Sequence, residues 1–327
     1  MIMKLPGKTL LLLNDQRIGN YKQLKAISYY LKSDFIIKES KLEFNFFSKL
    51  PNFLQWPRSV AITNRNKILS LQENPDVILS CGRRSAPFAR YLKSKFPESK
   101  LVHLLKPNIC TKKIDLLITP KHDNYIHANY EYLLPPSLVS LDTFAKTSQG
   151  FEYLKAINDP KLCVIIGGSS KNKKLGNTEY KNFIDLMEFL NGVQNQKILL
   201  TTSRRTDQAL LDIINESCLK NKNIEAYLYR DNDSLNPYSS FLYYADKILV
   251  TGDSISMVAD SILTKKPVMV YDDFAGPKQL EFLSNLYANN LALKFTDKVT
   301  KADFKGLVKY EGNDAKDIAQ AIKDLIV

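Results

Sequence analysis

The chain reads as an α/β protein of two Rossmann-like domains facing a central cleft, with a C-terminal helix crossing back. Three observations predict this. Short apolar runs alternate with helix-period segments from end to end, the pattern of parallel strands joined by helical crossovers. The pattern restarts near residue 161, after a weakly patterned stretch at 136–160 that reads as a linker. The length, 327 residues at 44% hydrophobic and 24% charged, also passes the ~250 residues beyond which single cores rarely grow. The expected division is 1–150, 151–310 and a terminal segment, 311–327, with no sequence repeat linking the halves.

Strands are predicted at 9–14, 76–80, 100–105, 115–119, 162–166, 197–202, 224–228, 247–251 and 267–271. Helices are predicted at 20–32, 86–95, 178–190, 206–217, 237–244, 254–263 and 277–287. Leu24, Ile27 and Leu31 share one face of the first helix, the i, i+3, i+7 spacing of a helix that covers a sheet. A last helix, 314–327, carries Ala315, Ile318, Ile322 and Leu325 on one face. Two such domains across a cleft form the arrangement of the GT-B glycosyltransferase class.

Lysine and arginine total 46 against 34 acids, a net charge of +12, with a pI near 9.3. That balance favours anionic partners. The lysines are scattered and no aromatic-basic motif of an RNA-binding sheet occurs, so small phosphorylated ligands are expected rather than nucleic acid. Cys81, Cys110, Cys163 and Cys218 lie far apart without a CxxC pair, which excludes a zinc ribbon and argues for a reducing compartment. Leu10–Leu13 is too short for a signal-peptide core or a membrane span. A cytoplasmic protein is expected, at most peripheral to the inner face of a membrane. Membrane contact, if any, falls to "FNFFSKLPNFLQWP" (44–57) with Lys41, Phe46, Phe47, Phe53, Trp56 and Arg58. A buried or domain-packing loop is the preferred reading of that stretch.

In open parallel sheets, ligands bind beyond the carboxyl ends of the strands. Polar residues concentrate there in "IIGGSSK" (165–171), "LLTTSRRT" (199–206) and "VTGDSIS" (250–256). Gly167 and Gly168 would let backbone amides approach a ligand, with Ser169, Thr202 and Ser203 beside them. Arg204 and Arg205 could clamp a diphosphate. Asp253, Ser254 and Ser256 open a helix, whose free amides suit a phosphate. The same residue types also serve simply as helix caps. In the first half, "ILSCGRRSAPFARYL" (78–92) offers Arg83 and Arg84, and "ITPKHDNY" (118–125) offers His122 and Asp123. A histidine beside a carboxylate suits a general base, although loop histidines more often only hydrogen-bond. "DND" (231–233) matches the Asp-x-Asp of metal-dependent transferases but suits a turn better. GxGxxG, the P-loop, HExxH and GxSxG are absent, and neither a metal nor a cofactor is expected.

With those loops in hand, the sequence resembles the Elongated-Mitochondria family of plant mitochondrial fission factors and their bacterial relatives. The motifs that carry it are "CGRRSAP" (81–87), "TPKHD" (119–123), "IGGSS" (166–170), "TTSRRT" (201–206), "NPY" (236–238) and "TGDSISM" (251–257), followed by "KP" (266–267). The resemblance implies a GT-B-like fold. It also implies Gly-His after the first strand, where this chain has Gly19-Asn20, placed on the acceptor side. Where the family has Ser-Glu-Ala, this chain has Ala259-Asp260-Ser261, which leaves Asp260 to meet a ribose. Two functions compete on these residues. One is a metal-independent transferase using a nucleoside-diphosphate sugar and an envelope or lipid-linked acceptor. The other is a non-catalytic adaptor for a protein or membrane partner.

Overall fold

The computed structural model describes residues 7–55, 60–70, 74–148, 150–170, 173–229, 236–296, 298 and 303–326. The chain divides into two compact units, Met1–Leu138 with Gly312–Val327, and Val139–Glu311.

The first unit runs β1 (Thr9–Asn14), α1 (Ile18–Leu31), β2 (Ile36–Lys41), α2 (Asn52–Gln55), α3 (Arg65–Leu69), β3 (Val77–Cys81), α4 (Ala86–Lys95), β4 (Lys100–Leu104), β5 (Leu116–Pro120) and β6 (Tyr130–Tyr132). Its sheet has the order β2-β1-β3-β4-β5-β6, all parallel. β1 is buried throughout because it is covered on both faces, which is why it reads as an unbroken apolar run. Leu10 and Leu12 join one core with Leu24, Ile27 and Leu31 of α1. Leu11 and Leu13 join the other with Phe88, Ala89 and Leu92 of α4. Pro87 sits in the first turn of α4, where its missing N–H costs nothing.

The second unit runs α5 (Leu141–Lys146), β7 (Lys161–Ile166), α6 (Asn177–Asn191), β8 (Lys197–Thr202), α7 (Gln208–Lys220), β9 (Ile224–Tyr227), α8 (Tyr238–Tyr244), β10 (Lys247–Thr251), α9 (Ile255–Leu263), β11 (Val268–Tyr271), α10 (Pro277–Ala288) and β12 (Leu293–Lys294). Its order is β12-β11-β10-β7-β8-β9, again parallel. Chain direction across the sheet reverses between β7 and β10, and in the first unit between β1 and β3. Those are the two crevices where a parallel sheet takes ligands.

One expectation changes and another is met. The stretch 136–160 is not a linker, because the second unit begins at Val139. Ser140 and Thr143 form a capping box on α5, Phe144, Phe151 and Leu154 are buried, and the Phe151 ring meets Phe241 of α8 at 5.9 Å. The terminal helix, α11 (Asp314–Asp324), belongs to the first unit. Ala315, Ile318, Ala319 and Ile322 complete the core under α1. Asn313 Nδ2 donates to Tyr30 Oη at 2.8 Å, and Lys323 Nζ pairs with Asp34 at 2.7 Å.

Candidate functional site

At the β7–β10 crevice the loop residues chiefly bind one another. Asp253 is 2% exposed. Its carboxylate accepts from Thr251 Oγ1 at 2.6 Å, from Gly168 N at 3.3 Å and from Arg205 Nη2 at 2.6 Å. Burial still holds its pKa above the ordinary carboxylate range against these partners. Gly167 N donates to Thr251 Oγ1 at 2.7 Å. The two glycines therefore have a different purpose from the one expected, since their amides are spent inside the protein. A Cβ at Gly167 would collide with the Asp253 carboxylate, and one at Gly168 with the backbone of Arg205.

The neighbouring polar residues brace the same loops. Thr206 Oγ1 donates to Gly167 O at 2.6 Å. Ser203 Oγ accepts from Arg205 N at 3.1 Å, Ser169 Oγ from Leu175 N at 3.2 Å and Thr202 Oγ1 from Tyr229 N at 2.7 Å. Arg205 is fixed on Asp253, which corrects the expectation of a paired arginine clamp. What faces outward is Arg204, exposed on the same turn, and Ser256, exposed in the first turn of α9. Ser254 caps α9, accepting from Met257 N at 3.5 Å. One and a half turns on, Asp260 accepts from Tyr238 Oη at 3.1 Å. The Asp-x-Asp at 231–233 lies outside the described residues.

The first unit has its own polar crevice, centred on a residue the sequence reading passed over. Asp15, 1% exposed, accepts from Asn20 Nδ2 at 2.9 Å and from Arg17 N at 3.1 Å. Its backbone oxygen accepts from Arg84 Nη2 at 2.7 Å. Desolvation raises the Asp15 pKa and lowers that of Arg84. The Arg84 guanidinium lies 4.4 Å from the Phe44 ring centroid. An acid directly after a buried strand, Asn14-Asp15, was the available signal.

Asn20 and Arg84 are thus brought together. Gly82 at φ 81 is required there, because any Cβ would strike Asn20 Nδ2. Gly19 is exposed and has open space about it, so nothing there demands glycine. Arg83 is not in this crevice. Its guanidinium donates to Leu50 O at 3.1 Å and Asn52 Oδ1 at 3.3 Å. His122 and Asp123 follow β5, two strands from β3. His122 is 8% exposed, with Nε2 4.0 Å from Asp123 Oδ1.

The carboxyl edge of this sheet also turns repeatedly through the left-handed region. Gln16, Gly82, Leu105 and Asn124 all turn through positive φ after β1, β3, β4 and β5. In the second unit the left-handed residues Asn195, Lys265 and Asn290 follow helices instead, where such turns are routine.

A family model described as mitochondrial fission ELM1 matches residues 18–326. The chain belongs to this family. An uncharacterized protein, RP120, of Rickettsia prowazekii is 28% identical over 94% of the chain and 96% of the relative. The mitochondrial fission protein ELM1 of Arabidopsis thaliana is 24% identical over 69% of the chain and 58% of its own length. Among solved structures, a Listeria monocytogenes protein provisionally assigned as a UDP-N-acetylglucosamine 2-epimerase superposes with a TM-score of 0.65 at 12% identity, covering 97% and 96% of the two chains. The UDP-GlcNAc 2-epimerase of Methanocaldococcus jannaschii, in complex with UDP-GlcNAc and UDP, gives 0.51 at 15% identity over 97% and 99%. A UDP-glucosyltransferase of Polygonum tinctorium gives 0.56 at 10% over 98% and 90%. This ELM1-family chain therefore has the GT-B-like fold of glycosyltransferases and epimerases.

Proposed function

We propose that this ELM1-family protein is a metal-independent transferase that takes a nucleoside-diphosphate sugar at the β7–β10 crevice. The observation that carries the reading is the exposed amino end of α9 with Ser256, beside the turn that presents Arg204. Departure of a nucleoside diphosphate builds negative charge, which helix amides, a hydroxyl and the exposed guanidinium of Arg204 stabilise. The Asp253 network keeps both loops in register, with Arg205 tied to one and Asp253 to the other. Asp260, oriented by Tyr238, would accept from a ribose hydroxyl. In the first unit, Arg84 and Asn20 would serve an envelope or lipid-linked acceptor, with His122 and Asp123 as the candidate proton-transfer pair. The epimerase crystallised with UDP supports nucleotide binding on this fold.

A non-catalytic adaptor is the second reading. It is favoured by the spent amides of Gly167 and Gly168 and by the name of the Arabidopsis relative. Titration calorimetry with UDP, GDP, CDP, ADP and their sugar conjugates separates the two. Arg204→Ala and Ser256→Ala should each weaken the binding nucleotide by about tenfold, the worth of one lost charged or hydroxyl contact. Their unliganded melting temperatures should hold, since both side chains are exposed. Silence of the wild type across the panel would give the protein to the adaptor reading.

A further inference from the structure

Residues 46–55 are packed inside out. Ser48, Asn52 and Gln55 are 9%, 3% and 1% exposed, whereas Phe46, Phe47 and Leu54 are 71%, 48% and 56% exposed. This overturns the expectation of a buried aromatic loop at these positions; Trp56 and Arg58 lie outside the described residues, as does the Phe53 side chain. The inversion is built rather than incidental. Asn52 Nδ2 donates to Arg83 O at 2.7 Å and to Pro107 O at 2.6 Å. Arg83 returns bonds to Leu50 O and Asn52 Oδ1, and Gln55 Nε2 donates to Leu50 O at 2.8 Å. Asn45 Oδ1 accepts from Phe47 N at 3.0 Å. With its polar groups committed inward, the segment must present its rings outward.

The surroundings say what meets them. The segment 41–55 and the adjoining loop 105–113, joined through the Asn52–Pro107 bond, carry five exposed lysines against one acid: Lys41, Lys49, Lys106, Lys112 and Lys113 against Glu43. Lys49 Nζ stands over the Phe46 ring, 5.4 Å from its centroid, so a cation sits directly against an exposed aromatic face. Protein interfaces deplete lysine around their apolar centres. Rings fringed by lysines suit an anionic lipid surface, with aromatics at the acyl boundary and ammonium groups among phosphates.

We infer that this face docks the protein on anionic membrane lipid through Phe46, Phe47 and Leu54. The inference is independent of the nucleotide reading. Flotation of the full chain with vesicles of phosphatidylcholine alone, and of phosphatidylcholine mixed with phosphatidylglycerol, tests it. The wild type should float with the mixed vesicles and lose binding as salt is raised. Phe46→Ser with Phe47→Ser should lower the partition roughly a hundredfold, from the burial lost by two rings. Its melting temperature should be unchanged, and Phe46→Leu with Phe47→Leu should keep most of the binding. Lys49→Gln should weaken binding to mixed vesicles only. A wild type that fails to float, or a double-serine variant that floats equally well, overturns the inference. So does concentration-dependent dimerisation, abolished by the double-serine variant, in a wild type that does not float.

Discussion

His103 is wholly buried in β4, with Nδ1 2.7 Å from Ser80 Oγ. Desolvation lowers its pKa from 6.5 to about 3, and its Nε2 has no hydrogen-bond partner among the described residues, so an imidazolium would be poorly met there. Between those two values the unfolded chain binds the proton and the folded chain does not. Stability therefore falls as pH drops from 6.5 toward 3, by up to about 1.4 kcal/mol per pH unit for this one group. His103→Leu should flatten that acid limb relative to the wild type in urea titrations run across the window. At this scale the sequence told residue types better than partners. The strand-end glycines, serines and arginines were visible, but Gly167 is explained by the Asp253 carboxylate and Gly168 by the Arg205 backbone, both far along the chain. Arg83 and Arg84 looked equivalent in "GRR" and face different neighbours.

Among elements, strands buried on both faces were legible as unbroken apolar runs, as in β1, β8 and β10. The missed ones are sheet edges. β2 is "IIKESK" with intermediate and exposed positions, β6 has three residues and β12 two, too short or too polar to show a period. Helix α11 was legible because four apolar residues recur on one face. Its docking partner was not, since Tyr30 and Asp34 lie at the other end of the sequence. Ile322 is fully buried in that seam, so Ile322→Ala should cost about 3 kcal/mol through lost burial and the cavity left behind. Chemical denaturation of the full chain measures it, and a cost below that of an exposed substitution would show that α11 does not complete the core.

On the scale of the whole molecule the two units differ in kind. The second is continuous, Val139–Glu311, whereas the first is assembled from 1–138 and 312–327. A fragment of residues 139–311 should unfold cooperatively by itself. A fragment of 1–138 should do so only when a peptide of 312–327 is added, because Ala315, Ile318, Ala319 and Ile322 are part of its core. Circular dichroism melts of the two fragments check both outcomes. The repeated strand–helix alternation made the two-unit plan readable, but a discontinuous unit leaves no mark in local periodicity.

The seam between α1 and α11 also sets an order of events at the ribosome. The opening strands emerge first, yet the face of their sheet that α1 covers stays incompletely packed until residues near 320 have left the exit tunnel. The middle of the chain can close its own core sooner. The core that α11 completes is then the surface a nascent-chain chaperone would meet for longest. The part made first is the part finished last.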